Sequence, residues 1–399
     1  MDYDIKLPRQ VRDRPRSGIR DFVELVIGRS DVISLGVGEP DKPTPWPIRD
    51  AAIKSIERGQ TSYTSNLGLE SLRNAISDYV DGLFHVRYDP KTEILVTVGV
   101  SEALDIAFRA VLNPGDEVIY HEPCYVSYSP SIKMAYGVPV VVNTREENEF
   151  AVLAEDIEKV ITPKSRVLVL NFPTNPTGGI MPPEELEKIA ALAVRHDLLV
   201  FTDEIYCELL YDGRKHTSIV EFPGMRERTV LLHGFSKAFA MTGWRLGYAC
   251  APAPLREAMM KVHQYCMLCA PIMSQVAGLE ALKLGAAAFE DMRQSYEKRR
   301  NLIVSRLNGM GLHCFNPGGA FYVFPDIRST GLTSKEFAIK LLETKSVAVV
   351  PGTAFGTAGE GFVRCCYATA PELIAKAMDL MEEFAGEVRA STAAPLVGA

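Results

Sequence analysis

The sequence predicts an α/β chain: a large domain on a mostly parallel sheet flanked by helices, and a smaller α+β domain formed by both chain ends. Three observations predict it. Between about residues 50 and 285 short apolar runs alternate with segments of helical period. The chain has 399 residues, 47% hydrophobic and 23% charged, which allows a large core and two unequal lobes. The ends differ from the middle: residues 1–49 are rich in Pro and Gly, and about 286–399 combine a long charged helix with short strands.

In chain order, the first clear strand is 94–98, followed by a helix over 101–112. Asn113-Pro114-Gly115-Asp116 reads as a turn before the strand 117–120. The strand 167–170 comes next. Pro182-Pro183 and Glu184-Glu185 then open a helix over 183–196, because proline lacks an N–H that the first turn leaves unpaired and acids suit its positive end. Strands 198–202 and 230–233 complete the set. Beyond them the pattern predicts a helix over 289–308 and strands around 321–324, 347–350 and 362–367. Residues 390–399, small and apolar without a period, read as a disordered tail. The expected division is therefore 1–49, an arm and part of the small domain; 50–285, the large domain; and 286–399, the C-terminal small domain.

Composition excludes several classes. Net charge is −7, and the arginines between Arg9 and Arg20 are interspersed with Asp13, so this stretch reads as a solvated arm rather than a nucleic-acid surface. The first residues lack an apolar signal core, and no run of about 18 apolar residues occurs, so a cytoplasmic protein without a membrane span is expected. Cys266 and Cys269 have no second pair at zinc-site spacing; these and Cys365-Cys366 read as buried thiols, with no metal expected.

In open α/β sheets ligands bind beyond the carboxyl ends of the strands, and unusual polar residues fall there. Lys237 stands in Ser236-Lys237-Ala238-Phe239, just past an apolar strand, crowded by small and apolar neighbours and with no acid beside it in the sequence. Burial, or a cation such as Arg245 eight residues on, would turn its ammonium into a free amine nucleophile. Gly99-Val100-Ser101 opens a helix whose free N–H groups suit a phosphate, although Ser101 also reads as a plain N-cap. Asp203 ends an apolar strand, where an acid needs a cationic partner such as a protonated ring nitrogen; Tyr206 could turn toward the same ring. Asn175 lies in a loop fixed by Pro173 and Pro176, and its amide could donate to a ring oxygen, with a structural turn as the alternative. Arg364 sits among apolar strand residues and needs an anion, either a substrate carboxylate or a structural one.

A phosphate cradle, an acid for a ring nitrogen, a donor for a ring hydroxyl, an imine-forming lysine and a carboxylate clamp match the inventory of pyridoxal 5'-phosphate. With Ile33 to Asp41, Tyr63, Asn175 to Gly178, Ser236-Lys237 and Arg364, the chain resembles the fold-type I pyridoxal-phosphate enzymes. Within them it is similar to class I/II aminotransferases of the aspartate, alanine and aromatic group. The resemblance implies a seven-stranded sheet and the following roles. Lys237 holds the cofactor, Asp203 pairs with its ring nitrogen, and Asn175 and Tyr206 bind its ring oxygen. Arg245, Ser236 and the Gly99 to Ser101 loop hold the phosphate, Tyr125 stacks on the ring, and Gly38 and Arg364, beside Asn175, contact the substrate carboxylate. Tyr63 resembles a tyrosine that reaches the neighbouring subunit's phosphate, which implies a homodimer. One departure is Gly234, where many relatives of the family carry a serine; it removes a possible phosphate hydroxyl.

The expected reaction moves an amino group from an L-amino acid to a 2-oxo acid, with Lys237 as general acid/base and Asp203 keeping the ring nitrogen protonated. A carbon–sulfur lyase on the same fold and a non-catalytic cofactor-binding regulator are the alternatives; the latter usually accompanies a DNA-binding segment that this chain does not show. A dinucleotide oxidoreductase fails, since Gly36-x-Gly38 has Asp41 where the third glycine belongs. Tyr125, Tyr63, Ile19 and Phe22 could favour apolar or aromatic donors; aspartate, alanine or an acylated diamino acid stay open.

Overall fold

A computed structural model describes residues 6–12, 28–29 and 31–393. Ile19 and Phe22, and residues 394–399 of the expected tail, lie outside the described residues. Residues 390–393, expected to belong to the tail, instead continue the last helix, Pro371–Ala393.

The central sheet has seven strands: β2 (Ile94–Thr97), β3 (Glu117–Glu122), β4 (Val138–Asn143), β5 (Ser165–Asn171), β6 (Leu199–Asp203), β7 (Thr229–Gly234) and β8 (Gly247–Cys250). Their order is β2-β8-β7-β6-β5-β3-β4. Only β8 runs antiparallel to its neighbours β2 and β7; the other pairs are parallel. Buried on both faces, the parallel strands read as unbroken apolar runs, and side chains alternate between two cores. Val167, Val169, Phe201 and Val230 pack on one side with Ala103 and Phe108 of the helix Gly99–Val111. Leu168, Leu170 and Val200 pack on the other with Leu186 and Ile189 of the helix Pro183–Arg195.

Strands β4 and β8 are not among the clear strands of the sequence. Helix Gly99–Val111 also begins earlier than its reading: its N-cap is Val98, and Glu102 bonds the Val98 N–H and His263 Nδ1, so Ser101 is not the cap.

The two chain ends meet. β1 (Ile33–Ser34) pairs in parallel with β10 (Val347–Ala348), and the Cys366 N–H donates to the Leu35 carbonyl at 2.7 Å. β11 (Val350–Pro351), β12 (Val363–Cys366) and β9 (Tyr322–Val323) form an antiparallel sheet. The stretch 347–350 is thus divided between two sheets. Helices Glu290–Gly309, Ser334–Lys345 and Pro371–Ala393 pack around it, and a shared core containing Leu35, Tyr206, Phe239 and Phe321 joins the ends to the large sheet.

Cys365 and Cys366 are buried as expected, whereas Cys266 is exposed and Cys269 partly so, because they lie at the end of helix Ala253–Cys266 and in the turn beyond it.

Candidate active site

β2, β5, β6 and β7 all point their carboxyl ends the same way, and register places Asn171 opposite Asp203 on neighbouring strands. Above these ends lies a cleft of about 580 Å³ lined by residues from both lobes. Lys237, Asp203, Tyr206, Asn175, Tyr125, Gly38 and Arg364 all line it, as do Val100, Ser101, Ser236 and Arg245. Tyr63 does not. It is 83% exposed on this chain.

The cleft's charges are unusual. Lys237 donates from Nζ to the Gly38 carbonyl at 2.7 Å. Burial pulls its ammonium down to about 8, and the Arg364 and Arg245 cations push the same way. Glu39, which lines the cleft, opposes them, so an acid does stand near the lysine, contrary to the sequence expectation. The small and apolar neighbours enclose the lysine on only part of the loop: Ala238, Phe239 and Met241 are buried, whereas Gly243 and Arg245 are exposed.

Asp203 is buried at the end of β6, and desolvation pushes its carboxyl up to about 6. It accepts from Tyr128 Oη at 2.8 Å and from the Ile205 N–H at 3.3 Å. Among the described residues no cation bonds it, so a protonated ring nitrogen would supply the missing charge.

Arg364 is 2% exposed, and among the described residues it forms no ion pair. Nη1 donates to Asn175 Oδ1 at 2.8 Å and Nη2 to the Gly36 carbonyl at 2.6 Å, while Nε is buried without a partner. The Tyr322 and Phe355 rings flank the guanidinium. The structural carboxylate considered from sequence is thus not there among the described residues. Because Asn175 spends its oxygen on Arg364, its amide nitrogen is left to donate into the cleft. Tyr206 Oη lies 2.9 Å from Tyr322 Oη.

The phosphate corner is built by close approach. Gly99 has φ +76°, a conformation that favours glycine, and a Cβ there would lie 2.6 Å from Arg245 Nη2, so any larger residue would strain the backbone and push the guanidinium off the helix start. Arg245 itself has φ 52° and, among the described residues, forms no ion pair. Gly234 is explained by packing. Its Cβ would stand 2.9 Å from Val100 Cγ2 and 3.0 Å from Gly247 Cα, and it does not line the cleft, so a serine there would meet the helix start rather than add a phosphate hydroxyl.

The arrangement fits a phosphorylated, cationic ring with a carboxylate-bearing substrate: among the described residues, two guanidinium groups lack acid partners, one buried acid lacks a cation, and burial brings a lysine amine down to about 8. The sequence profile of the aminotransferase class I and II family matches residues 30–380. The chain belongs to this family. Class I and II aminotransferases depend on pyridoxal phosphate, and this chain is such an enzyme. It is 53% identical over 368 residues to a Bacillus subtilis chain whose name assigns aminotransferase activity provisionally, covering 92% of this chain and 95% of that one. It is 46% identical over 369 residues to an aspartate aminotransferase of Pyrococcus abyssi, with the same coverage. The solved aromatic aminotransferase of Pyrococcus horikoshii superposes with a TM-score of 0.88 at 46% identity, covering 92% of this chain and 99% of that one.

Sequence reasoning assigns no role to Tyr322, which lines the aminotransferase cleft, or to Tyr128, which does not line it but bonds Asp203. Tyr322 closes the run Gly318 to Tyr322, which shares the local resemblance to aspartate and aromatic aminotransferases but gives Tyr322 no role, whereas in the structure its hydroxyl meets Tyr206 and its ring Arg364. Tyr128, which holds Asp203, has only its spacing from Tyr125 as a signal. A buried group of Cys207, Glu208 and His233 also lies together, but Cys207 Sγ, the Glu208 carboxylate and His233 Nε2 are engaged with one another and with Tyr79, and burial drives the Cys207 thiol far up.

Proposed function

We propose that this aminotransferase has the broad aspartate/aromatic type of specificity, taking an amino group from aspartate or an aromatic L-amino acid and passing it to a 2-oxo acid such as 2-oxoglutarate. The observation that carries the reading is one cleft in which a lysine amine lowered to about 8, a buried acid and two guanidinium groups that have no acid partner among the described residues face one another. The names of the relatives, aspartate in one and aromatic in another, and the aromatic walls Tyr125 and Tyr322 support the donor class.

When bound, pyridoxal phosphate supplies the carbonyl that carries the amino group and the ring that accepts electrons from the substrate's Cα–H bond. Lys237 would leave the Gly38 carbonyl to hold the cofactor, and as a free amine would move the proton at the substrate's Cα. Asp203 would hold the proton on the ring nitrogen. The Asn175 amide and Tyr206 would contact the ring oxygen, and Tyr125 would cover the ring. Gly99, Val100, Ser101, Ser236 and Arg245 would hold the phosphate. Arg364, with Gly38 and Asn175 beside it, would fix the substrate carboxylate and so orient the bond to be broken. Adding L-amino acids one at a time, without any oxo acid, should change the visible spectrum of the cofactor-loaded protein with aspartate or aromatic donors, and 2-oxoglutarate should restore it. Release of ammonia with no need for an oxo acid would favour the lyase; no response to any donor would overturn the assignment.

The same reading includes a cytoplasmic homodimer and the division into 1–49, 50–285 and 286–399. Pairing of β1 with β10 supports the division, and no helix among the described residues is long and apolar enough to cross a membrane. Exposed Trp46, Ile53 and Ile56 on one helix, and Tyr265 and Met267 at the end of another, support a face covered by a second copy that carries Tyr63 to the partner's phosphate corner. Sedimentation should show twice 44.0 kDa. Mixing Lys237→Ala chains with Tyr63→Phe chains should restore tight cofactor binding to one site of each hybrid; a monomer, or no restoration, would refute the shared site.

A further inference from the structure

We infer that Tyr128 is a positioning residue that keeps Asp203 ionised for the cofactor's ring nitrogen while bracing the ring that covers the cofactor's face. The inference rests on the cofactor assignment above. Tyr128 is 1% exposed at the start of the helix Tyr128–Met134, immediately after the loop that leaves β3. Its hydroxyl donates to Asp203 Oδ2 at 2.8 Å, and its ring meets Tyr125 edge-on, with centroids 5.7 Å apart at 82°. One residue thus touches both the acid and the stacking ring.

The chemistry follows from what a phenol can offer a carboxylate. Donated to the charged form, the hydrogen bond stabilises the ion against the desolvation that otherwise favours neutral Asp203. The reverse transfer does not compete, since burial drives the Tyr128 phenol well above its ordinary value and it stays protonated. Other ionisable groups face Asp203 too. Glu204, beside it on its own segment, disfavours the ion, whereas His233 on β7 favours it. Tyr206 follows in the turn after β6, and Lys237 and Tyr125 line the same cleft. None of these makes a hydrogen bond to the Asp203 side chain among the described residues, so Tyr128 is its one side-chain donor there.

The test compares wild-type and Tyr128→Phe apoproteins for binding of pyridoxamine phosphate, followed by fluorescence from about pH 5.5 to about pH 8.5, a range that brackets the titration of the acid. This probe carries the ring nitrogen and phosphate but cannot bond covalently to Lys237, so no covalent step enters the result, and the lysine's own titration is common to both proteins and cancels in their ratio. Loss of the donor raises the Asp203 pKa further, and a rise of about one lowers the ionised fraction about tenfold on the acid side. Tyr128→Phe should therefore bind about fivefold more weakly near about pH 6, with the gap approaching tenfold at more acid pH and closing to within about twofold by about pH 8.5, where both carboxylates are ionised. In an Asp203→Asn background Tyr128→Phe should show no pH-dependent loss. That second comparison also stands if Tyr128→Phe alone proves unstable. A loss equal at every pH would mean that Tyr128 only packs, and no loss would mean that the bond is idle; either overturns the inference and leaves the cofactor assignment standing. Failure of the wild-type protein to bind the probe would overturn both.

Discussion

Replacing Lys237 by alanine is expected to lower turnover by at least about 10⁴-fold, the upper end of what a positioned proton-transfer group supplies, because the same side chain also holds the cofactor. The fold should persist, since the lysine is only half-buried and the one hydrogen bond its side chain makes among the described residues is to the Gly38 carbonyl. Its titration gives a second readout. A lysine lowered to about 8 is a free amine above that pH, so the rate at which wild-type apoprotein takes up pyridoxal phosphate should rise through pH about 8 rather than near the ordinary 10.5. Stability has a definite sign as well. Between about 8 and 10.5 the unfolded chain binds the proton that the folded chain has lost, so apoprotein stability should increase as pH rises through that window, and the Lys237→Ala variant should lack this increment. Stopped-flow uptake and thermal melts at stepped pH measure both. An uptake midpoint near 10.5 would refute the idea that the cleft activates this amine.

How much of this is legible in the sequence depends on what each residue does. The parallel strands are, because burial on both faces writes an apolar run that needs no partner to be recognised. β4 is not: Pro139 interrupts it, and proline is tolerated only because β4 is the edge strand, where a missing N–H breaks no central ladder. β8 is four residues, Gly-Tyr-Ala-Cys, without a β-branched side chain, and its strand character comes from pairing with β2 and β7. The cleft residues follow the same logic. Lys237, Asp203, Asn175 and Arg364 stand at strand ends or inside apolar runs, where an unpaired polar group is conspicuous in one dimension. Tyr128 and Tyr322 look like ordinary core aromatics, and their roles arise from approaches that only the fold creates: Tyr128 reaches Asp203 across 75 residues, and Tyr322 meets Arg364 because β9 pairs with β12. Gly234 is visible as a departure, but its reason is not. That reason is the nearness of Val100 and Gly247, a spacing that only the folded sheet defines.

Asp203→Asn is expected to move two measurements in opposite directions. In the apoprotein the buried carboxylate is a burden: with its pKa raised from 3.8 to about 6, the folded state binds a proton that the unfolded state has released, so stability falls as pH rises through that window. A pKa raised by about two corresponds to about 3 kcal/mol of stability lost above the window. An amide of the same shape keeps the Ile205 N–H bond and can donate to the Tyr128 oxygen, so the variant should melt higher than wild-type apoprotein at about pH 7 and about equally below about pH 4, where both are neutral. Activity should go the other way. A neutral amide cannot hold a proton on the ring nitrogen, and loss of one preorganised electrostatic contact of this kind costs about 10²–10³ in turnover. Differential calorimetry of the apoproteins and steady-state kinetics of the loaded ones test the pair. A variant that lost stability and activity together would make Asp203 a structural strand-end acid. One that gained stability while keeping full turnover would leave the carboxylate without a catalytic reason to be buried there at all. The combination of a stabilised apoprotein and a crippled enzyme is what a carboxylate kept for a bound cation requires, because its cost in the empty cleft is offset only when that cation arrives.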